Sequence, residues 1–184
     1  MKVIYVNDNE YPNMLKKIKR PPKELYIEGD LGNLNTNCIG IVGSRNCTEY
    51  GEKWCKIFVE ELVKYGLTVV SGMALGIDSV SHNAAIDMGG KTIAVLPSGL
   101  NSIYPEENMY LYKKILKSGG TVITEYDPNV EAGYKNFLKR NRIVSGLSMG
   151  ILVVEAAYRS GTSVTARYAK LQKRDVFCIP RKPW

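Results

Sequence analysis

Three short turns and one hexapeptide carry the residue types from which an anion site can be built. Gly43-Ser44-Arg45 closes one apolar run, Ser71-Gly72-Met73-Ala74-Leu75-Gly76-Ile77-Asp78 closes the next, and Ser160-Gly161-Thr162 follows a later one. Small residues let a backbone come close to a ligand, and their N–H and hydroxyl groups can donate to phosphate oxygens. A helix that starts at such a turn adds the positive end of its dipole. The hexapeptide Phe137-Leu138-Lys139-Arg140-Asn141-Arg142 supplies three cations, an amide and an aromatic ring. Cations for a phosphate backbone beside a ring for a base are the means by which single-stranded nucleic acid is held without regard to sequence. Gly43, Ser44, Arg45, Ser71, Gly72 and Met73, with Ser160 and Gly161, are the candidate phosphate ligands. Phe137, Lys139, Arg140, Asn141 and Arg142 would extend that contact toward the bases.

Each residue also has a plainer reading. An arginine after a turn often ties down a carbonyl, a run of cations is usually a solvated face, and a lone phenylalanine is more often core than platform. Asp78, in the first turn of its helix, reads as a cap, and His82 in mid-helix as a packed side chain. Glu125 and Glu155 each close an apolar run, where an acid can serve catalysis or simply bond to a loop.

Positioning these turns requires a particular order of elements. Short apolar, often β-branched runs recur at 38–42, 68–70, 92–96, 121–124, 151–154 and 176–179, apolar on successive residues as strands buried on both faces are. Helical stripes fall between them, from Trp54 to Tyr65 before Gly66, from Ile77 to Met88 before Gly89-Gly90, after Pro105, and from Thr162 to Gln172. This alternation predicts an α/β fold, a doubly wound and mostly parallel sheet with helices on both faces. Residues 1–36 lack strong periodicity and read as an N-terminal flap packed on a core domain of residues 37–184, with 25–27 as a short extended segment.

Composition narrows the function. The chain has 184 residues, 45% of them hydrophobic and 23% charged, which suits one globular domain. No apolar run approaches the length of a membrane span, and the start lacks a secretory signal, so a cytoplasmic protein is expected. Four cysteines without metal-ligand spacing and a single histidine predict reduced thiols, no metal and no cofactor. The net charge of +7 is uneven: residues 1–130 carry 14 Lys and Arg against 15 Asp and Glu, whereas 131–184 carry 11 against 3. That asymmetry favours a polyanionic partner. There is no phosphate-binding Gly-x-x-x-x-Gly-Lys loop and no Gly-x-Gly-x-x-Gly, and the second strand ends in Ser71-Gly72 where a dinucleotide site would carry an acid.

As a set, these motifs resemble the DNA-processing protein A family, also called Smf. The matching pieces run in order from Tyr11-Pro12 through Ile41-Val42-Gly43-Ser44-Arg45, Ser71-Gly72-x-Ala74-x-Gly76-Ile77-Asp78, Tyr104-Pro105 and Phe137-x-x-Arg140-Asn141-Arg142-Ile143 to Glu155, Ser160-Gly161 and Thr165-Ala166. The resemblance implies an extended Rossmann-like domain that dimerises, holds single-stranded DNA in a basic pocket and loads a RecA-type recombinase onto it. It implies phosphate contacts from Gly43, Ser44, Arg45, Ser71 and Gly72, continued by Lys139, Arg140 and Arg142, with Asn141 placing the loop and Phe137 meeting a base. It departs from the family at Leu138, where many relatives have proline, and at Arg181, where they have glycine after Pro180. The alternative is a phosphoribohydrolase-like enzyme on a nucleoside monophosphate. That family's loop ends in a glutamate, and the comparable position here is Thr165.

Overall fold

The computed structural model describes residues 1–157 and 160–180, so Arg181 lies outside the described residues. Eight strands form one sheet: β1 (Lys2–Tyr5), β2 (Glu24–Gly29), β3 (Cys38–Val42), β4 (Thr68–Ser71), β5 (Thr92–Val95), β6 (Thr121–Thr124), β7 (Gly150–Val153) and β8 (Asp175–Cys178). Their spatial order is β1-β2-β6-β5-β4-β3-β7-β8. From β6 to β8 all neighbours are parallel, and β2 is antiparallel to both β1 and β6. The α/β, doubly wound reading of the sequence therefore holds. Residues 2–5 and 24–29 add two strands to this same sheet.

Six α-helices cover it: α1 (Asn13–Lys16), α2 (Glu49–Lys64), α3 (Ile77–Asp87), α4 (Met109–Lys117), α5 (Tyr134–Leu147) and α6 (Gly161–Leu171). Strand periodicity decides which face each meets. Val42, Val70, Ile151 and Val153 point into a cluster with Leu15 of α1, Ile143 and Leu147 of α5 and Ala169 of α6. Their neighbours Ile41, Val69 and Leu152 point the other way, onto Cys55 and Val59 of α2 and Ile77 and Ala84 of α3. Ala94 and Val122 join Leu111 and Ile115 of α4. Both faces of β3 to β7 are thus dry, which is why those strands read as unbroken apolar runs.

Local sequence sets the helix ends. Thr48 caps α2, its hydroxyl accepting from Gly51 N at 3.1 Å, and Glu49 and Glu52 sit in the positive first turn. Gly66 at φ 75° lets the chain leave that helix in the left-handed region. The helix α5 is the longest element the sequence did not announce. Its C-terminal half, from Arg140 to Leu147, is entirely buried, so its polar residues lie on the covered face and hide the amphipathic period.

A candidate nucleic-acid interface at the strand ends

The chain winds outward from β3 through β4, β5 and β6, then returns to the other side of β3 as β7. Ligands of such sheets gather at the carboxyl ends of the strands, near this reversal. The three glycine turns all lie there. Thr162 Oγ1 donates to Gly43 O at 3.0 Å, and Asn141 Nδ2 donates to Gly161 O at 3.3 Å, so α6 begins against the first turn and against α5. Ser160 caps α6 through a reciprocal pair with Ser163, whose hydroxyl accepts from Ser160 N at 3.0 Å.

Close packing explains the glycines. A Cβ on Gly43 would meet Ile77 Cγ1 at 2.5 Å, and one on Gly72 would meet the Arg140 guanidinium carbon at 2.6 Å. Gly76 has φ 75°, and a Cβ there would stand 2.3 Å from Ser44 O and 2.4 Å from Arg45 O. Ile77 N donates to Ser44 O at 3.1 Å, which fixes the loop carrying Arg45 on the first turn of α3. Met73 occupies the left-handed region at φ 55°, and Asn108 Nδ2 holds its carbonyl at 2.7 Å. The chain accepts that strain to turn sharply above β4.

Arg45 is exposed, and its guanidinium carbon lies 5.1 Å from the centroid of the Phe137 ring. Tyr104 meets the same ring edge-on at 5.4 Å. Arg45, Gly72, Ala74, Leu75, Tyr104, Pro105 and Phe137 line a shallow cleft above the end of β4. Cation, ring and close backbone, foreseen separately in the sequence, are brought together in this cleft.

The remaining candidates are placed differently. Ser71 is buried and its hydroxyl donates to Ile41 O at 2.6 Å, while the Met73 side chain is enclosed among Leu96, Leu100 and Leu111. Ser44 Oγ donates to Asn46 O at 3.0 Å, within its own loop. Arg140 is buried rather than offered to solvent. It donates to Gly72 O at 2.7 Å, to Val95 O, and to Asn141 Oδ1 at 3.1 Å, joining the ends of β4 and β5 to α5. Burial lowers its pKa to about 10, which leaves it charged at neutral pH. Arg142 is likewise buried and pairs with Glu125 at 2.6 Å. The sequence expectation of three free cations in the hexapeptide is thereby corrected: interior carbonyls and a carboxylate hold two of them. Lys139 is exposed, yet it too lies 3.0 Å from the enclosed Glu125 carboxylate, and over the Tyr126 ring.

The acids also have structural partners. Asp78 is buried and its Oδ2 accepts from Gly72 N at 3.1 Å and Ala74 N at 3.4 Å; burial pushes its pKa up against the pull of Arg140. It is more than a helix cap, because it closes the second turn from below. Glu155 accepts from Thr48 N at 2.9 Å and Thr48 Oγ1 at 2.6 Å, bridging the end of β7 to the start of α2. Among the described residues no group of three or more His, Cys, Asp or Glu is placed to hold a metal. Sequence reasoning passed over Tyr104 as a cleft residue; its position after the strand β5, beside Pro105, was the available signal.

Fold and site together define a Rossmann-like protein with a cation, a ring and tight backbone turns gathered at its strand ends. The chain belongs to the family of DNA recombination-mediator protein A, whose model matches residues 2–184. It is 46% identical over 170 residues to protein Smf of Escherichia coli, covering 92% of this chain and 46% of that protein. It is 40% identical over 178 residues to the DNA processing protein DprA of Bacillus subtilis, covering 96% of this chain and 60% of the relative. This chain therefore spans only about half the length of such relatives. The X-ray structure of DNA processing protein A from Streptococcus pneumoniae superposes with a TM-score of 0.93 at 38% identity, over 98% of this chain and 63% of that one. A second structure, from Helicobacter pylori, concerns the single-stranded DNA binding mode of that organism's DNA processing protein A; it superposes with a TM-score of 0.89 at 31% identity, over 98% of this chain and 82% of that one. A molybdenum cofactor carrier protein from Chlamydomonas reinhardtii, at 18% identity and a TM-score of 0.53, shares the fold alone.

Proposed function

We propose that this chain binds single-stranded DNA across the carboxyl ends of β3, β4 and β5, protects it, and passes it to a RecA-type recombinase during natural transformation. One observation carries the reading. Arg45 lies over the Phe137 ring above Gly72, and the exposed Tyr104 meets that ring edge-on. A phosphate bound at Arg45 would leave its base free to stack on the exposed Tyr104 ring beside it, an arrangement tolerant of sequence. The single-stranded DNA binding of the Helicobacter pylori protein supports the ligand class, and family membership alone supports the recombinase step. The same reading makes the protein a non-catalytic binder that works in the cytoplasm without cofactors. Among the described residues no helix is long and apolar enough to cross a membrane. It also makes the protein a homodimer, for which β8, an edge strand among the described residues, offers its outer backbone groups and Phe177, 55% exposed.

The enzyme alternative needs a carboxylate where Thr165 stands. That side chain is buried and bonds to Gly161 O at 3.4 Å.

Fluorescence anisotropy with labelled oligo-dT across a salt series tests the proposal. Wild type binds with affinity that falls with salt. Arg45→Ala loses about tenfold and flattens the log–log slope by about 0.7, the loss of one phosphate contact to a single strand. Binding indifferent to salt, or none at low salt, overturns the reading.

A further inference from the structure

By sequence the excess positive charge falls in the last third of the chain, but the fold redistributes what is available. Arg140 and Arg142 are 4% and 8% exposed and engaged inside the protein. The segment 16–23, Lys-Lys-Ile-Lys-Arg-Pro-Pro-Lys, does the opposite: five of its eight residues are cationic, none is acidic, and all five cations are exposed. Ion pairs among the described residues engage Lys2, Lys56, Lys64, Lys114, Lys139 and Arg142, and none of the five.

The strip is built, not loose. Leu15 and Leu25 are fully buried at its two ends, and Ile18 and Pro22 are buried within it, so each pair of outward cations is flanked by an inward anchor. Gly146 of α5 lies so close to Leu15 and Ile18 that an added Cβ would meet them at 2.6 and 3.2 Å. Arg174 Nη2 donates to Met14 O at 3.1 Å, pinning the helix α1 just before the strip. At the other end Tyr11 OH donates to Pro22 O at 2.8 Å and Val6 N to Lys23 O at 2.9 Å. Two consecutive prolines, which restrict the backbone, complete the restraint. Cations fixed in this way lose little conformational freedom when a polyanion lands on them.

Its placement points to the same ligand as the cleft. Lys23 leads directly into β2, and Tyr26 of β2 pairs with Thr124 of β6, so the strip ends at the edge of the sheet where β6 terminates. That is the end at which the cleft lies. Lys16 to Arg20, where Leu15 and Ile18 pack on the last turn of α5, stand toward the amino ends of the strands, so the strip runs along this face up to the cleft end. From β3 to β2 there are four strand spacings, or about 19 Å. Between the two lies the exposed Lys139, at the end of β6. Of the nearby acids, Glu10 pairs with Lys2 at 2.8 Å and Asp127 accepts from the Tyr26 hydroxyl at 2.5 Å, while Glu24, next to Lys23, is half-buried.

We infer that residues 16–23 form a second backbone-binding strip for the single strand held in the cleft, taking phosphates several nucleotides beyond the Arg45–Phe137 pair. The inference rests on the proposed function. It extends the footprint across β4, β5 and β6 and then along the face covered by α1 and α5.

Oligonucleotide length separates the two sites. Wild type, Arg45→Ala, and a variant carrying Lys16→Gln, Lys17→Gln, Lys19→Gln, Arg20→Gln and Lys23→Gln together are titrated with oligo-dT of about 6 and about 20 nucleotides, bracketing common single-strand footprints. All five substitutions are at exposed positions, and circular dichroism confirms the fold. The strip variant keeps wild-type affinity for the short oligonucleotide and loses at least tenfold for the long one. Its salt slope on the long oligonucleotide falls by about 0.7 for each phosphate released, up to about 3.5. Arg45→Ala weakens both lengths. Unchanged affinity and slope of the strip variant on the long oligonucleotide overturn the strip and leave the cleft standing. Strip-dependent binding of the long oligonucleotide, with no Arg45-dependent binding of the short one, supports the strip and overturns the cleft. Should wild type bind neither, both are overturned. Loss of binding to phosphatidylserine vesicles in the strip variant, with long-oligonucleotide binding intact, reassigns the strip to a membrane surface and overturns it as a DNA site.

Discussion

The two arginines nearest the cleft do different work, although in the sequence they look alike. Arg45 is held only by its loop and the face of Phe137, so its charge is available to a ligand. Arg140 is consumed by the carbonyls of Gly72 and Val95 and stands above the buried Asp78 that bonds to Gly72 N. A buried guanidinium in this position ties strand ends together, and its removal leaves two carbonyls and a carboxylate without a cation. Arg140→Ala is therefore expected to cost about 3 kcal/mol or more, read as a fall in the urea midpoint, because charged hydrogen bonds and a buried charge partner are lost together. Arg45→Ala is expected to leave that midpoint within about 0.5 kcal/mol, as exposed substitutions do. Equal midpoints for the two variants would show that Arg140 is not a structural tie. Nothing in the order Lys139-Arg140-Asn141-Arg142 distinguishes an inward arginine from an outward one, since the partners are backbone oxygens from strands far away in the chain.

At the scale of elements, six strands of the parallel core stand within a residue or so of the apolar runs that announced them. In β3 to β7 burial on both faces leaves an unbroken apolar run bounded by turns, whereas β8 is a largely exposed edge strand that still reads as apolar. The strand β1 and the helix α5 were not legible. The strand β1 is a short edge strand with a single buried residue, Ile4, and α5 buries polar side chains whose partners are tertiary. The turns were legible as glycine turns but not as one machine; only the fold shows that Gly76 supports the loop of Arg45. With φ 75° and ψ −131°, Gly76 lies where a side chain is strained, and its missing Cβ makes room for the carbonyls of Ser44 and Arg45. Gly76→Ala is expected to lower stability by about 1–3 kcal/mol and to shift the Arg45 loop. Its oligo-dT affinity should then drop roughly as far as that of Arg45→Ala, although the arginine is intact. Wild-type binding by a folded Gly76→Ala protein would detach the loop from the site.

For the whole molecule, the fold is made sensitive to acid at the opposite, amino ends of the strands, through a histidine that takes no part in binding. His82 is fully buried on α3, and its Nδ1 lies 2.7 Å from Thr92 Oγ1. Thr92 donates that hydroxyl to Val69 O at 3.0 Å, so it accepts from His82, and the proton of the neutral ring sits on Nδ1. Among the described residues the Nε2 atom has no partner. Burial first, and then the positive charge of Arg140, lower the pKa from 6.5 to about 3. Between these values the unfolded chain binds a proton that the folded chain refuses. The contribution of neutral His82 is therefore whole above pH 6.5 and is lost as pH falls toward 3, by on the order of 5 kcal/mol in all at about 1.4 kcal/mol per unit. Asp78 works in the opposite sense, because burial raises its pKa and protonation on acidification relieves a charge the fold disfavours. The two groups thus act against each other, and a His82 variant removes only the histidine's share. Urea midpoints measured from pH 7 to pH 4 should fall steeply in wild type. In His82→Gln, which titrates nowhere in this range, the fall should flatten or reverse, leaving the Asp78 response exposed. A variant whose midpoints track wild type at every pH would place the acid sensitivity in another group and return His82 to the status of an inert core residue.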